Sequence, residues 1–215
     1  MGCFFCILRS MDMYHDPHGA IVRRTRLFRI FNIVVEVVIV VFALFFIFQP
    51  LLPLLGADKV TIGTAEVKKT DASVFFADID STLDYLVIPT LGISQEIIEA
   101  DTIKTVHEKV WIRPQGSTPE EGSNTVLVAH RYATIGGNRS STFYLLPDIA
   151  IGDRAYVRWN GKIYTYEVGG TQIVLPTAIE VEAPSLSPML TLYTCTPLWK
   201  ADKRFVATAT LISVQ

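Results

Sequence analysis

Cysteine is almost missing from this chain of 215 residues. Two of its three cysteines, Cys3 and Cys6, lie within the first six residues, and Cys195 stands alone in the rest. A disulfide framework is therefore excluded for the bulk of the protein. Lysine is missing from the first 55 residues, where five arginines face Asp12, Asp16 and Glu36 for a local charge of +2. The remainder carries 14 Lys+Arg against 18 Asp+Glu, or −4. A mildly acidic domain with no basic run excludes a nucleic-acid partner. No phosphate-binding GxxxxGK[ST] loop, no GxGxxG and no cysteine pair at zinc spacing occurs in the C-terminal 160 residues, which leaves nucleotide cofactors and structural zinc without a motif. No period of 20–50 residues repeats, so a solenoid or propeller is excluded as well.

Apolar residues, by contrast, are abundant and unevenly placed. Half of the residues are hydrophobic, and the mean hydropathy is +0.35. Much of this comes from residues 30–55, IFNIVVEVVIVVFALFFIFQPLLPLL. Roughly 20 apolar residues at about 1.5 Å each cross a hydrocarbon layer of ~30 Å, and this block suffices. Arg23, Arg24, Arg26 and Arg29 precede it. The positive-inside rule keeps them in the cytoplasm and sends the C-terminal domain outside. A cleaved signal peptide fits less well: the apolar region is too long, and Pro50 and Pro53 stand where small residues would mark a cleavage site. Glu36 lies near the cytoplasmic end, close enough to snorkel towards the arginines. In residues 1–29, Gly2 lacks the Ser or Thr at position 6 that myristoylation needs, and Cys3, Cys6, His15 and His18 match no tight zinc spacing. The expected organisation is a cytoplasmic tail over 1–29, a transmembrane anchor over 30–55, a stalk over 56–82 and a folded outer domain over 83–215, a single-pass protein of the cell membrane.

The outer domain reads as short strands separated by turns: 86–88, 91–98, 125–130, 154–159, 162–168, 173–175, 189–195 and 205–214. Asn160-Gly161 between two alternating runs predicts a tight hairpin, because both residues tolerate positive φ. Residues 131–141, with Gly136-Gly137-Asn138, read as a flexible loop. A helical turn is expected at Phe143–Leu146, and a long proline-containing connection over 176–188. The fold class predicted is mostly β: a single closed barrel of about eight strands with short helices, preceded by one transmembrane helix.

Three residues carry the candidate chemistry. His130 closes one strand, Cys195 closes another at a turn, and Arg204 opens the next. A thiolate needs a cationic neighbour to form. An imidazole can pass a proton to a leaving amine and take one from the next nucleophile. A guanidinium offers fixed donors to an oxyanion. Singly, each has a plainer explanation: a core cysteine, a satisfied strand-end histidine, a solvated arginine. His107 sits in a polar stretch and reads as a surface residue. Glu120 and Glu121, with Glu180 and Glu182, lie in loops; solvated charge is the default for them, and a shared calcium ion is the unsupported alternative.

Thr191-Leu192-Tyr193-Thr194-Cys195 followed by Arg204 resembles the Thr-Leu-x-Thr-Cys signature of the sortases, membrane-anchored cysteine transpeptidases of bacteria. The string GSNTVLVAHR at His130 resembles their histidine strand, with Ala129 where many members carry glycine. Phe143-Tyr144-Leu145-Leu146 and Gly152-Asp153 resemble their short helix and turn, and Leu86-Val87-Ile88-Pro89 with Leu91-Gly92-Ile93 their opening strands. The resemblance covers about residues 83–213. It implies the eight-stranded sortase barrel, with residues 176–188 over a substrate groove. Cys195 is then the nucleophile towards an LPxTG-like sorting motif, His130 the general acid and base, and Arg204 the oxyanion and substrate ligand. Val128, Ala129 and Thr194 are the expected substrate contacts. The partners implied are secreted proteins bearing a C-terminal sorting signal and an amine of a cell-wall precursor or a pilin, with no metal. Two alternatives stand beside it. One is an L,D-transpeptidase-like wall enzyme, whose Ser-His-Gly-Cys neighbourhood is missing here; the other is a non-catalytic, membrane-anchored binding module. A papain- or NlpC-like peptidase would place Cys before His, the reverse of this chain.

Overall fold

The structure, a computed structural model, describes residues 26–48, 63–102, 109–135, 138–140 and 142–215, with side chains from residue 30 onward apart from 133–135 and 138–140. The expectations for Cys3, Cys6, His15, His18, Arg23, Arg24, Pro50, Pro53, His107, Gly136 and Gly137 lie outside the described residues. The chain divides into two units, residues 1–51 and 52–215.

Among its described residues the first unit contains one helix, α1 (Arg26–Phe48). Its stretch Ile30–Phe48 is long and apolar enough to cross a membrane. Val34, Ile39, Phe42 and Phe46 are all about half exposed or more. A helix apolar on every side has no polar face to give to water, which suits a lipid environment.

The second unit is a closed β-barrel. In chain order its strands are β1 (Tyr85–Ile88), β2 (Ile93–Ile98), β3 (Val110–Ile112), β4 (Asn124–Val128), β7 (Arg154–Trp159), β8 (Lys162–Val174), β9 (Met189–Thr196) and β10 (Lys203–Val214). They follow one another around the barrel as β1-β2-β3-β4-β9-β10-β8-β7, with β7 pairing back onto β1. The β2–β3 and β4–β9 pairs are parallel and the others antiparallel. Leu86, Leu127, Val157, Leu190 and Leu192 fill the interior with essentially no exposure.

Local sequence explains most of these elements. Asn160 and Gly161 turn the β7–β8 hairpin with φ of 48° and 77°, as their pairing predicts. β8 is one strand of 13 residues rather than the two short ones expected. The Gly169-Gly170 pair accommodates a bulge there: Thr208 pairs with Gly170, but the next residue, Ala209, pairs with Val168. β3 had no sequence signal, being only three residues long, yet all three are buried. Residues 131–141 contain a small antiparallel pair, β5 (Ala133–Ile135) and β6 (Asn138–Ser140), in place of an irregular loop. After them, a 3₁₀ turn forms at Leu146–Asp148.

The expected stalk is corrected over its described part. Residues 63–84 dock on the barrel through a short helix, α2 (Thr64–Val67), and a 3₁₀ turn (Ala72–Phe76). Val67, Ala72 and Phe76 are buried against Val87 and Tyr156. Arg158 donates to the carbonyls of Leu83 (3.0 Å), Ile79 (3.3 Å) and Asp80, and its guanidinium lies 5.2 Å from the Phe76 ring centre. A polar, irregular look conceals this docking because the apolar residues that make it are few and irregularly spaced.

Candidate active site

The site follows from strand parity. Along β9, Leu190 and Leu192 belong to the barrel interior, so Tyr193 and Cys195 face outward. On β10 Phe205, Ala207 and Ala209 point inward, which turns Arg204 outward. On β4 Leu127 and the following Ala129 point inward, and Val128 packs outside with Trp111 and Val126. Arg204 is the direct cross-strand partner of Cys195. The parallel β4–β9 register pairs Val128 with Tyr193; carried two residues on, it sets His130 level with Cys195. The three residues therefore form one row at this rim of the barrel: Cys195 and Arg204 on paired strands about 4.8 Å apart, and His130 two residues past the end of β4. His130, Cys195 and Arg204 line the same cleft, of about 290 Å³, and each is half-buried.

Each member of the row is held by its surroundings. The hydroxyl of Thr194, 1% exposed, donates to the carbonyl of Ala129 at 2.9 Å and ties the end of β4 to β9. The Phe143 amide donates to the carbonyl of His130 at 3.0 Å. Beyond Cys195 the chain passes a cis Thr196–Pro197 bond and turns back through Ala201, with φ of 52°. Arg131 donates to the Thr196 hydroxyl at 3.1 Å. Arg204 Nη1 donates to the carbonyls of Ala201 (3.2 Å) and Lys203 (3.0 Å). That leaves Nε and Nη2 uncommitted among the described residues.

Of the three expected substrate contacts, Val128 lies on the cleft face. Ala129 and Thr194 line it too, with interior parity, and bond to each other. Of the connection 175–188, the part from Leu175 to Glu182 lines the cleft as its roof, with a 3₁₀ turn at Ile179–Glu182. Sequence reasoning missed how this roof is fastened. The Asn124 amide donates to the carbonyls of Val181 (3.1 Å) and Ala183 (3.0 Å), and accepts from the Thr191 hydroxyl (2.7 Å). Ser123 and Ser185 exchange two further bonds. Arg113 Nε donates to both carboxylate oxygens of Glu182 (3.0 and 3.1 Å), and the Tyr193 hydroxyl donates to one of them (2.6 Å). Burial, with the Glu182 carboxylate next, pushes the Tyr193 phenol far above its ordinary range; the charges of Arg113 and Arg204 oppose it.

Three of the four acidic residues considered for calcium have partners within the protein. Glu182 takes Arg113 and Tyr193, Glu120 takes Lys162 (3.0 Å) and Asn160 (3.0 Å), and Glu121 accepts the Thr118 amide. Among the described residues no group of three or more Asp, Glu, His or Cys converges on a point.

Comparison with known proteins follows the same outline. Sortase A of Bacillus anthracis is 30% identical over 132 residues, which is 60% of this chain and 61% of that protein. The crystal structure of sortase C-3 from Streptococcus pneumoniae superposes with a TM-score of 0.54 at 26% identity, over 64% of this chain and 65% of that one. Sortase C-1 from Actinomyces oris gives 0.54 and 26%, over 63% and 77%. The chain thus spans less than two thirds of the first two. Residues 86–212, from β1 into β10 and through the whole His130–Cys195–Arg204 row, match the family profile of the Sortase domain. That stretch is more than half of the chain, and by it this protein belongs to the sortase family.

Proposed function

We propose that the protein is a membrane-anchored cysteine transpeptidase acting on a C-terminal LPxTG-like sorting motif of secreted proteins. The observation that supports this most is the cross-strand row of His130, Cys195 and Arg204 at one end of a roofed cleft. The Cys195 thiolate attacks the carbonyl carbon of a Thr–Gly-type bond. The tetrahedral oxyanion develops beside Arg204, whose Nε and Nη2 can donate to it. As the C–N bond breaks, the His130 imidazolium gives its proton to the leaving amine, and a thioacyl-enzyme remains. An incoming primary amine, from a cell-wall precursor or a pilin lysine, loses a proton to His130 and forms the new amide, which returns Cys195 as thiolate. No redox partner is needed and the atoms balance.

In this reading α1 is the single membrane span. Arg23, Arg24, Arg26 and Arg29 remain on the cytoplasmic side, and the barrel lies outside, where secreted substrates emerge. The full chain in detergent, incubated with LPxTG-type peptides and a primary amine, tests the proposal. Cleavage, amine transfer and a thioacyl mass adduct on Cys195 are expected, all lost in Cys195→Ala. Peptide binding with neither cleavage nor adduct would instead support the non-catalytic module.

A further inference from the structure

The strongest feature not used by the chemical steps is the polar cluster under the roof. Glu182 belongs to the 3₁₀ turn above the cleft, Arg113 follows β3, and Tyr193 lies on β9 two residues before Cys195. That is roughly 6.6 Å along the strand, on the same face. Both carboxylate oxygens of Glu182 are occupied by Arg113 Nε, and one also takes the Tyr193 hydroxyl. The Arg113 guanidinium stacks 4.6 Å from the centre of the Trp111 ring, which fixes the fork before it meets the carboxylate. The Arg113 and Glu182 side chains are only 23% and 18% exposed. Charge-assisted bonds sheltered to this degree hold more firmly than surface pairs. Asn124 grips the carbonyls of Val181 and Ala183, one on each side of Glu182. The roof is thus fastened by its backbone to β4 and by one carboxylate to β3 and β9.

We propose that Glu182 is a positioning residue: through Arg113 and Tyr193 it latches the 179–182 turn over the cleft and so sets the affinity for the apolar part of the sorting peptide. The latch rests on the transpeptidase reading for its substrate class. Val181 and Ile179 line the cleft next to Glu182, so releasing the carboxylate moves the apolar wall the peptide must meet. The catalytic row is anchored by strand pairing instead, and does not move with the roof. Binding should weaken while the chemical steps persist.

The test uses the full chain in detergent with an LPxTG-type peptide. In the Cys195→Ala background, titration calorimetry compares the parent with Glu182→Gln and with Tyr193→Phe, which keeps the ring and removes only the hydroxyl. Kd should rise about tenfold for Glu182→Gln and about threefold for Tyr193→Phe. With Cys195 present, KM should rise similarly and kcat stay within about twofold. Arg113→Gln combined with Glu182→Gln should be no weaker than either single change, since both dismantle one latch. Unchanged Kd in both single variants overturns the latch, and so does a fall confined to kcat. Failure of the transpeptidase reading would look different: no turnover and no Cys195 adduct in the wild type, whatever Glu182 does to peptide binding.

Discussion

Thr194→Val removes one oxygen from the site while keeping the side chain's shape, and the structure gives the expected size of the loss. The hydroxyl is 1% exposed and donates to the Ala129 carbonyl at 2.9 Å. Ala129 itself is 2% exposed, so water cannot readily replace the lost donor. Leaving one buried acceptor unpaired costs about 1–3 kcal/mol. At roughly 2–4 °C per kcal/mol for a domain of this size, the Tm should fall by about 2–12 °C. A second loss is functional. The parallel β4–β9 ladder ends at Val128 and Tyr193, and the Thr194 bond is the next tie before His130 and Cys195. Where a 1 Å misplacement can cost on the order of 10²-fold, loosening that tie should lower kcat by about tenfold and leave KM nearly unchanged. Thr194→Ser, which keeps the hydroxyl, should recover most of both. Calorimetry and steady-state kinetics on the same preparations read the two effects separately. A raised KM at normal kcat would refute the positioning role and return Thr194 to the substrate contacts. An unchanged kcat with the expected Tm loss would confine the bond to stability.

Arg204→Lys keeps the charge and loses the planar fork, and should lower kcat/KM about 10²-fold, the scale of one oxyanion donor. Activity within threefold of wild type would remove Arg204 from the oxyanion role. At high pH, Tyr166 provides a stability readout. Burial pushes its phenol up to about 12, whereas an unfolded tyrosine titrates near ~10. The fold therefore favours the neutral phenol: its contribution is complete below pH ~10 and is lost between there and about 12, amounting to about 2–3 kcal/mol. Urea midpoints should fall over that window, and absorbance at 295 nm should show tyrosinate lagging behind the denatured chain. A native titration that is complete with a midpoint near ~10 would contradict the burial of Tyr166.

The sequence made the row of His130, Cys195 and Arg204 legible and left its roof obscure, for physical reasons. A strand needs alternating apolar residues, and Leu190, Leu192, Phe205 and Ala207 declare their faces by that alternation; once the faces are known, Cys195 and Arg204 must share one. Asn160-Gly161 was equally readable, because positive φ at two successive residues restricts composition sharply. β3 was not, since three residues cannot display a period, and its identity depends on a parallel pairing with β2 distant in sequence. The docking of residues 63–84 depends on Arg158 capping three carbonyls. Nothing in the spacing of those residues announces a contact made some 75 positions away. The Arg113–Glu182 pair, separated by 69 residues, is hidden in the same way, and each partner alone reads as a solvated charge.

This division between legible and hidden parts has a functional side. Cys195 and Arg204 stand on strands whose register is enforced by the barrel core, because a one-residue slip on β9 would turn Leu190 and Leu192 outward along with everything else. His130 lies two residues past the end of a third strand. Substitution near the row is therefore constrained by the fold before chemistry is considered. The roof belongs to the 14-residue connection 175–188 between β8 and β9, with no ladder of its own, held by Asn124, the Ser123–Ser185 pair and the Glu182 carboxylate. Changing its length or apolar residues costs little in the core, since Ile179 is 80% exposed and Leu175 61%. On the proposed function, the reacting groups and the wall that meets the peptide are thus mechanically separable: substrate preference would drift through residues 175–188 while Cys195, two residues beyond Tyr193, stays in place.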